Sequence, residues 1–197
     1  MDDVHILIVG ATGYIGGSVL SKLLSSQENA VRKCEVSALV REEERAEAMA
    51  KLGVTPIIFR DLDDVGHLRR VVSEHDVVID MAPGYHAVAS KALIAGLGDR
   101  KKRTGKEVFY IQTDGHPTLA TARSLAHTPN REVYAQRTTV IGVVEAGLAS
   151  GVKTYVIMSP TSYGLGSGIY NQLSIQIPIL IRAALKAGRA EVIGEGK

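Results

Sequence analysis

Apolar residues fall in short, nearly continuous runs, separated by longer stretches in which they recur at helical spacing. His5-Ile6-Leu7-Ile8-Val9 is the first run, and its continuity predicts a strand buried on both faces of a parallel sheet. Further strands are expected at Val36–Val40, Val54–Phe59, Val77–Ile79, Val108–Ile111 and Tyr155–Met158, with a short last one at Glu191–Ile193. Pro56 near the start of the third suits an edge position. Helices are expected over Ser18–Leu24, Glu42–Leu52, Leu62–Val72, Tyr85–Leu97, Glu132–Ser150 and Leu173–Lys186. Gly53 stands where a helix C-terminal glycine belongs.

Six strand–helix alternations in a row imply right-handed crossovers and a parallel sheet covered by helices on both faces. The expected arrangement is α/β, doubly wound, with strand order 3-2-1-4-5-6 and a ligand at the carboxyl ends where the order reverses. Two loops are long, about Gln112–Asn130 and Ser159–Asn171, as loops that shape sites often are.

The chain has 197 residues, of which 45% are apolar and 22% charged. That is ordinary globular usage, enough for one domain over 1–197 with a substantial core. A net charge of +2 gives no electrostatic case for a nucleic-acid or membrane partner. The single cysteine, Cys34, excludes an intrachain disulfide framework and reads as a small apolar filler. No apolar run reaches the roughly 18 residues of a membrane span, and the acidic start lacks a secretory pattern. The expectation is a soluble, cytoplasmic protein.

Candidate chemistry begins directly after the first strand, with Gly10-Ala-Thr-Gly-Tyr-Ile-Gly16 opening the first helix. Gly10 permits a tight turn, Gly13 admits a pyrophosphate to the backbone, and Gly16 lets the helix pack on the sheet. The helix N-terminus offers unpaired N–H groups and partial positive charge to phosphates. The candidate cofactor residues here are Gly10, Thr12, Gly13, Tyr14, Ile15 and Gly16. At the end of the second strand stands Arg41, where an acidic residue would hold the ribose hydroxyls of NAD. Its planar fork suits a 2′-phosphate, so NADP is favoured over NAD. Glu42, Glu43 and Glu44 oppose that phosphate, and Arg45 partly offsets them.

The basic cluster Arg100-Lys101-Lys102-Arg103 reads as a solvated loop between a helix and a strand. The six histidines lack the spacing of a helical zinc pair. His116 lies in the first long loop as a weak acid–base candidate.

The glycine loop resembles that of the extended and atypical short-chain dehydrogenases/reductases, most of all a fungal-type group of NAD(P)-binding proteins described as NmrA-like or nucleoside-diphosphate-sugar-epimerase-like. Ala38-Leu39-Val40-Arg41 is similar to their second strand. The resemblance implies an adenine contact at Asp61 and Leu62, and a fourth-strand end beside the cofactor at Met81 and Ala82. It implies a nicotinamide flank at Pro160 and Ser162. It also implies that 173–197 begins a substrate-binding lobe that is otherwise missing.

Three departures accompany it. The Tyr-x-x-x-Lys pattern reads Tyr134-Ala-Gln-Arg-Thr138, so Thr138 replaces the lysine that lowers the tyrosine pKa from about 10. Arg137, three residues on, could supply a cation instead. The hydroxyl expected after the fifth strand falls at Thr113 or at Asp114. The segment between Leu119 and Tyr134 is short, and the chain stops at Lys197.

Two readings follow. One is an NADP-dependent oxidoreductase or epimerase-like enzyme acting on a small molecule, with Tyr134 as proton donor or acceptor, aided by Thr113 and Arg137. The other is a non-catalytic NADP-binding sensor or regulator. The apolar set between Leu173 and Ile181 predicts a homodimer through that region.

Overall fold

The computed structural model describes residues 3–84, 86–115 and 131–189, with the side chains of 114–115 and 131–137 outside that description. Six parallel strands form one sheet in the order β3-β2-β1-β4-β5-β6. They are β1 (His5–Val9), β2 (Glu35–Val40), β3 (Thr55–Ile58), β4 (Val77–Asp80), β5 (Phe109–Gly115) and β6 (Lys153–Ser159). The reversal point lies between β1 and β4. Pro56 is on edge strand β3, as expected.

Alternation along β1 shows why both faces are filled. Ile6 and Ile8 pack with Leu20 of α1 (Tyr14–Leu24) and Met49 of α3 (Glu43–Lys51). Leu7 and Val9 pack on the opposite face. There they meet α4 (Val65–Val72), α5 (Ala87–Thr104) and α6 (Arg131–Ser150) through Leu68, Leu93 and Val143. The first face is covered unevenly. Toward β6 it leaves Tyr155 and Ile157 about half exposed.

Several boundaries differ from the sequence expectation. A short helix, α2 (Asn29–Arg32), precedes β2. The helix expected from Leu62 starts at Val65, because Asp64 caps it by accepting from the His67 N–H at 3.1 Å. The fifth helix runs on to Thr104 and ends at Gly105 with φ +70°. It takes in Arg100–Arg103, so those residues are helical. Cations suit a helix C-terminus, and these also have partners. Arg100 Nε donates to Asp76 Oδ1 at 2.9 Å, and Arg103 Nη2 to the Ser73 carbonyl at 2.6 Å. Lys101 Nζ donates to the Gly151 carbonyl at 2.7 Å.

The last described helix, α7 (Gln176–Ala187), begins three residues later than expected. Leu173 instead pairs with Leu165 in an isolated antiparallel bridge, and Ser174 is buried, donating to the Ser162 carbonyl at 2.6 Å. The strand expected at Glu191–Ile193, Tyr85 and His116 lie outside the described residues. Among the described residues no helix is long and apolar enough to cross a membrane, and no cluster of three or more metal-ligating side chains occurs.

Candidate functional site

The carboxyl ends of β1 and β4 meet at Gly10. Its φ is +82°, and a Cβ there would lie 2.7 Å from the Met81 carbonyl oxygen. Only glycine lets the turn after β1 pass so close to β4. Gly16 is fixed by contact of another kind: a Cβ on it would run into the Gly10 carbonyl oxygen. The first turn of α1 therefore sits directly on the turn it leaves. Gly13 is the N-cap, no side chain caps the helix, and its first turn carries no acidic residue. The N–H groups of Tyr14, Ile15 and Gly16 thus form the positive end of a helix that carries no built-in anion.

Thr12, within this loop, is held from two sides. Arg45 Nη1 donates to its Oγ1 at 3.1 Å, and Asn171 Nδ2 donates to its carbonyl at 2.8 Å. Arg45 also pairs with Glu42, Nε to Oε2 at 2.8 Å, and its guanidinium lies 5.4 Å from the centre of the Tyr170 ring. Arg41 is exposed at the end of β2, and its side chain contacts no partner among the described residues. Sequence reasoning named Arg41 and gave Arg45 only an offsetting role. Arg45 lies in the first turn of α3, close to Arg41 in sequence, and that proximity was the signal available for it.

The remaining expected residues are distributed along the same edge. Asp61 follows β3 and accepts from the N–H groups of Asp63 and Asp64 at 3.0 and 3.1 Å, so its carboxylate shapes the turn into α4. Leu62 packs on the core. Met81 and Ala82 lie beside Gly10, and the Met81 N–H donates to the Val9 carbonyl at 2.9 Å. Thr113, half-buried on β5, pairs in register with Ile157, and Asp114 with Met158. Ser162 Oγ lies 3.2 Å from Ser159 Oγ and donates to the Pro160 carbonyl at 3.3 Å. Tyr134 and Arg137 are on α6, and their side chains lie outside the described residues.

A buried network that sequence reasoning missed stands behind the β4 end. Tyr110 Oη donates to Asp80 Oδ2 at 2.7 Å and lies 3.2 Å from Gln112 Oε1. Asp80 Oδ1 accepts from the Ala82 N–H at 3.0 Å. Burial raises the Asp80 carboxyl above its usual range, against the lowering effect of these hydrogen bonds. Burial and the neighbouring carboxylate push the Tyr110 phenol well up. The network holds the turn that abuts Gly10. Its only sequence signal was the fourth-strand end itself.

A family model described as the NmrA-like family matches residues 2–172. The chain belongs to the NmrA-like family. Among its relatives, oxidase ucsJ of Acremonium sp is 30% identical over 214 residues, covering 98% of this chain and 60% of that protein. The leucoanthocyanidin reductase–NADPH complex from Vitis vinifera superposes with a TM-score of 0.52 at 18% identity, covering 78% of this chain and 47% of that one. AtPrR2 with NADP+ and (+)pinoresinol gives 0.52 at 16% identity, covering 83% and 51%. At such identities the two solved structures are alike in fold. This NmrA-like chain thus spans 60% of the length of the first of these relatives.

Proposed function

We propose that this NmrA-like chain is an NADP-dependent oxidoreductase or epimerase-like domain acting on a small molecule. The observation that carries the reading is the glycine loop. Gly10 and Gly16 are closed against β4 and against each other, and the α1 N-terminus is left without an anion. That cradle fits a pyrophosphate, which the N–H groups of Tyr14, Ile15 and Gly16 would bind, the Gly13 N–H being taken by the Gly10 carbonyl at 2.9 Å. Arg45, already on Thr12, and Arg41 would read the 2′-phosphate. Asp61 and Leu62 would flank the adenine, and Met81, Ala82, Pro160 and Ser162 the nicotinamide end.

The dinucleotide supplies a hydride donor or acceptor. Thr113 would orient the substrate oxygen. Tyr134 would give it a proton or take one, with Arg137 as the nearby cation. Tyr134→Phe should lower turnover on the order of 100-fold while leaving NADPH binding within twofold. Retained turnover would remove the tyrosine from the chemistry.

One observation favours a second reading. Thr138 stands where the Tyr-x-x-x-Lys pattern has its lysine, so tyrosinate formation loses its usual cation. A binding protein that senses NADP without turnover fits that replacement. Cofactor oxidation with a panel of carbonyl compounds separates the two. We also propose self-association through 173–181, where Leu173, Ile175, Ile179 and Ile181 are each about half exposed or more.

A further inference from the structure

The segment after β6 does not simply lead away from the sheet. It crosses α1 and ends on the phosphate-binding loop. Tyr14 Oη donates to the Gly164 carbonyl at 3.3 Å, and the Ser167 N–H donates to Ser18 Oγ at 3.2 Å. Gly168 meets Gly17 backbone to backbone: a Cβ on Gly168 would lie 2.7 Å from the Gly17 Cα. Tyr170 then packs against the cluster that holds Ala11, Leu20 and Met49, and its ring lies beside the Arg45 guanidinium. Asn171 follows in the left-handed region, with φ +47°, and donates to the Thr12 carbonyl. Asparagine tolerates that backbone better than most residues. Here the conformation places its amide on the glycine loop.

Arg45 is thereby fixed from three directions. Glu42 takes Nε, Thr12 takes one Nη1 proton, and Tyr170 supplies an aromatic partner. A guanidinium has five N–H donors, so three remain for an anion. The cation sits between the glycine loop and the end of β2, the place from which an arginine reads an adenosine 2′-phosphate. A long side chain held in one geometry loses less entropy on binding than a free one.

We propose that Tyr170 and Asn171 are positioning residues for dinucleotide selectivity, holding Arg45 and the Thr12 peptide so that the guanidinium favours NADPH over NADH. The inference rests on the dinucleotide reading above and deepens it. A segment far along the chain thus takes part in choosing the cofactor.

The test is a set of NADPH and NADH titrations on the full chain, with circular dichroism to verify folding. Wild type should bind NADPH at least tenfold more tightly than NADH. Tyr170→Leu should cut that ratio on the order of tenfold, the size of an aromatic–cation contact, with the NADH Kd within twofold. Tyr170→Phe keeps the ring and should keep the ratio. Asn171→Gly keeps the backbone conformation, loses the amide, and should lower the ratio severalfold. Arg45→Ala should remove most of the ratio, and adding Tyr170→Leu to it should cost little more, because the two act through one group.

Equal weakening of both dinucleotides by Tyr170→Leu would make the segment merely structural and overturn the proposal. So would an unchanged ratio, or additive losses in the double variant. Wild type binding both dinucleotides equally would overturn this inference alone. Wild type binding neither would overturn the dinucleotide reading itself.

Discussion

Asp80 and Asp76 close the two ends of β4 with carboxylates that respond to pH in opposite senses. Asp80 is 6% exposed, and burial raises its pKa. A carboxyl with a raised folded pKa contributes most at low pH, and that contribution is lost as the pH rises through the folded value. Asp80→Asn keeps an acceptor for the Ala82 N–H without the charge. Its melting temperature relative to wild type should therefore be higher at pH 8 than at pH 4. A pH-independent difference would mean that Asp80 does not titrate in the fold.

Asp76 behaves the other way. Burial alone would raise it, but the Arg100 hydrogen bond and the His5 N–H outweigh that and hold it low. His75 beside it is pulled below its usual value by burial, against the support of its Nδ1 contact with the Val71 carbonyl. Both contributions are present at neutral pH. That of His75 fades first, as the pH falls below the unfolded histidine range near 6.5. Asp76 follows as the pH falls through its lowered pKa. Side-chain exposure in the Arg100–Asp76 pair is 11% and 7%. Arg100→Ala leaves a buried carboxylate and should cost about 3 kcal/mol or more, a drop of roughly 10 °C in Tm. A drop under 2 °C would show that solvent reaches the pair.

At the scale of elements, the turn from β1 into α1 separates fold from function. Gly16→Val drives a side chain into the Gly10 carbonyl and should lower stability by roughly 1–3 kcal/mol. A Cβ on Gly13 meets only the Gly10 carbonyl, at 3.2 Å. Gly13→Ala should therefore melt within a few degrees of wild type yet lose NADPH binding at least tenfold. Chemical denaturation and titration of the same preparations check both.

These elements were legible in the sequence because their causes are local. Continuous apolar runs mark strands buried on both faces, and the glycines follow directly from the first of them. Strand order follows the usual pattern of a doubly wound sheet. Helix ends were less legible, since Asp64 and Gly105 act through cap geometry that periodicity does not carry. The Thr12–Arg45–Tyr170–Asn171 cluster was not legible at all. It joins residues 33 and 159 positions apart by hydrogen bonds, and no local pattern reports such contacts. Arg41 stood out because strand-end position is visible in a sequence, whereas the contacts that Arg45 makes with Thr12 and Tyr170 are not.

At the scale of the whole molecule, exposed apolar side chains among the described residues include a run along α7 and a pair on β6. Ile175, Ile179, Leu180, Ile181 and Leu185 around α7 are exposed, as are Tyr155 and Ile157 on edge strand β6. Light scattering at rising micromolar concentrations should show growth in mass, and Ile179→Asp with Ile181→Asp should reverse it. A constant monomer mass would remove the expectation.

The central claim, that the closed glycine loop is a working dinucleotide site, is tested most directly by titrating the chain with NADPH and NADH and following reduced-nicotinamide fluorescence. The chain has no tryptophan, so protein emission interferes little. Saturable binding, tighter for NADPH than for NADH and lost in Gly13→Ala, is the expected result. Folded protein that binds neither dinucleotide would contradict the account.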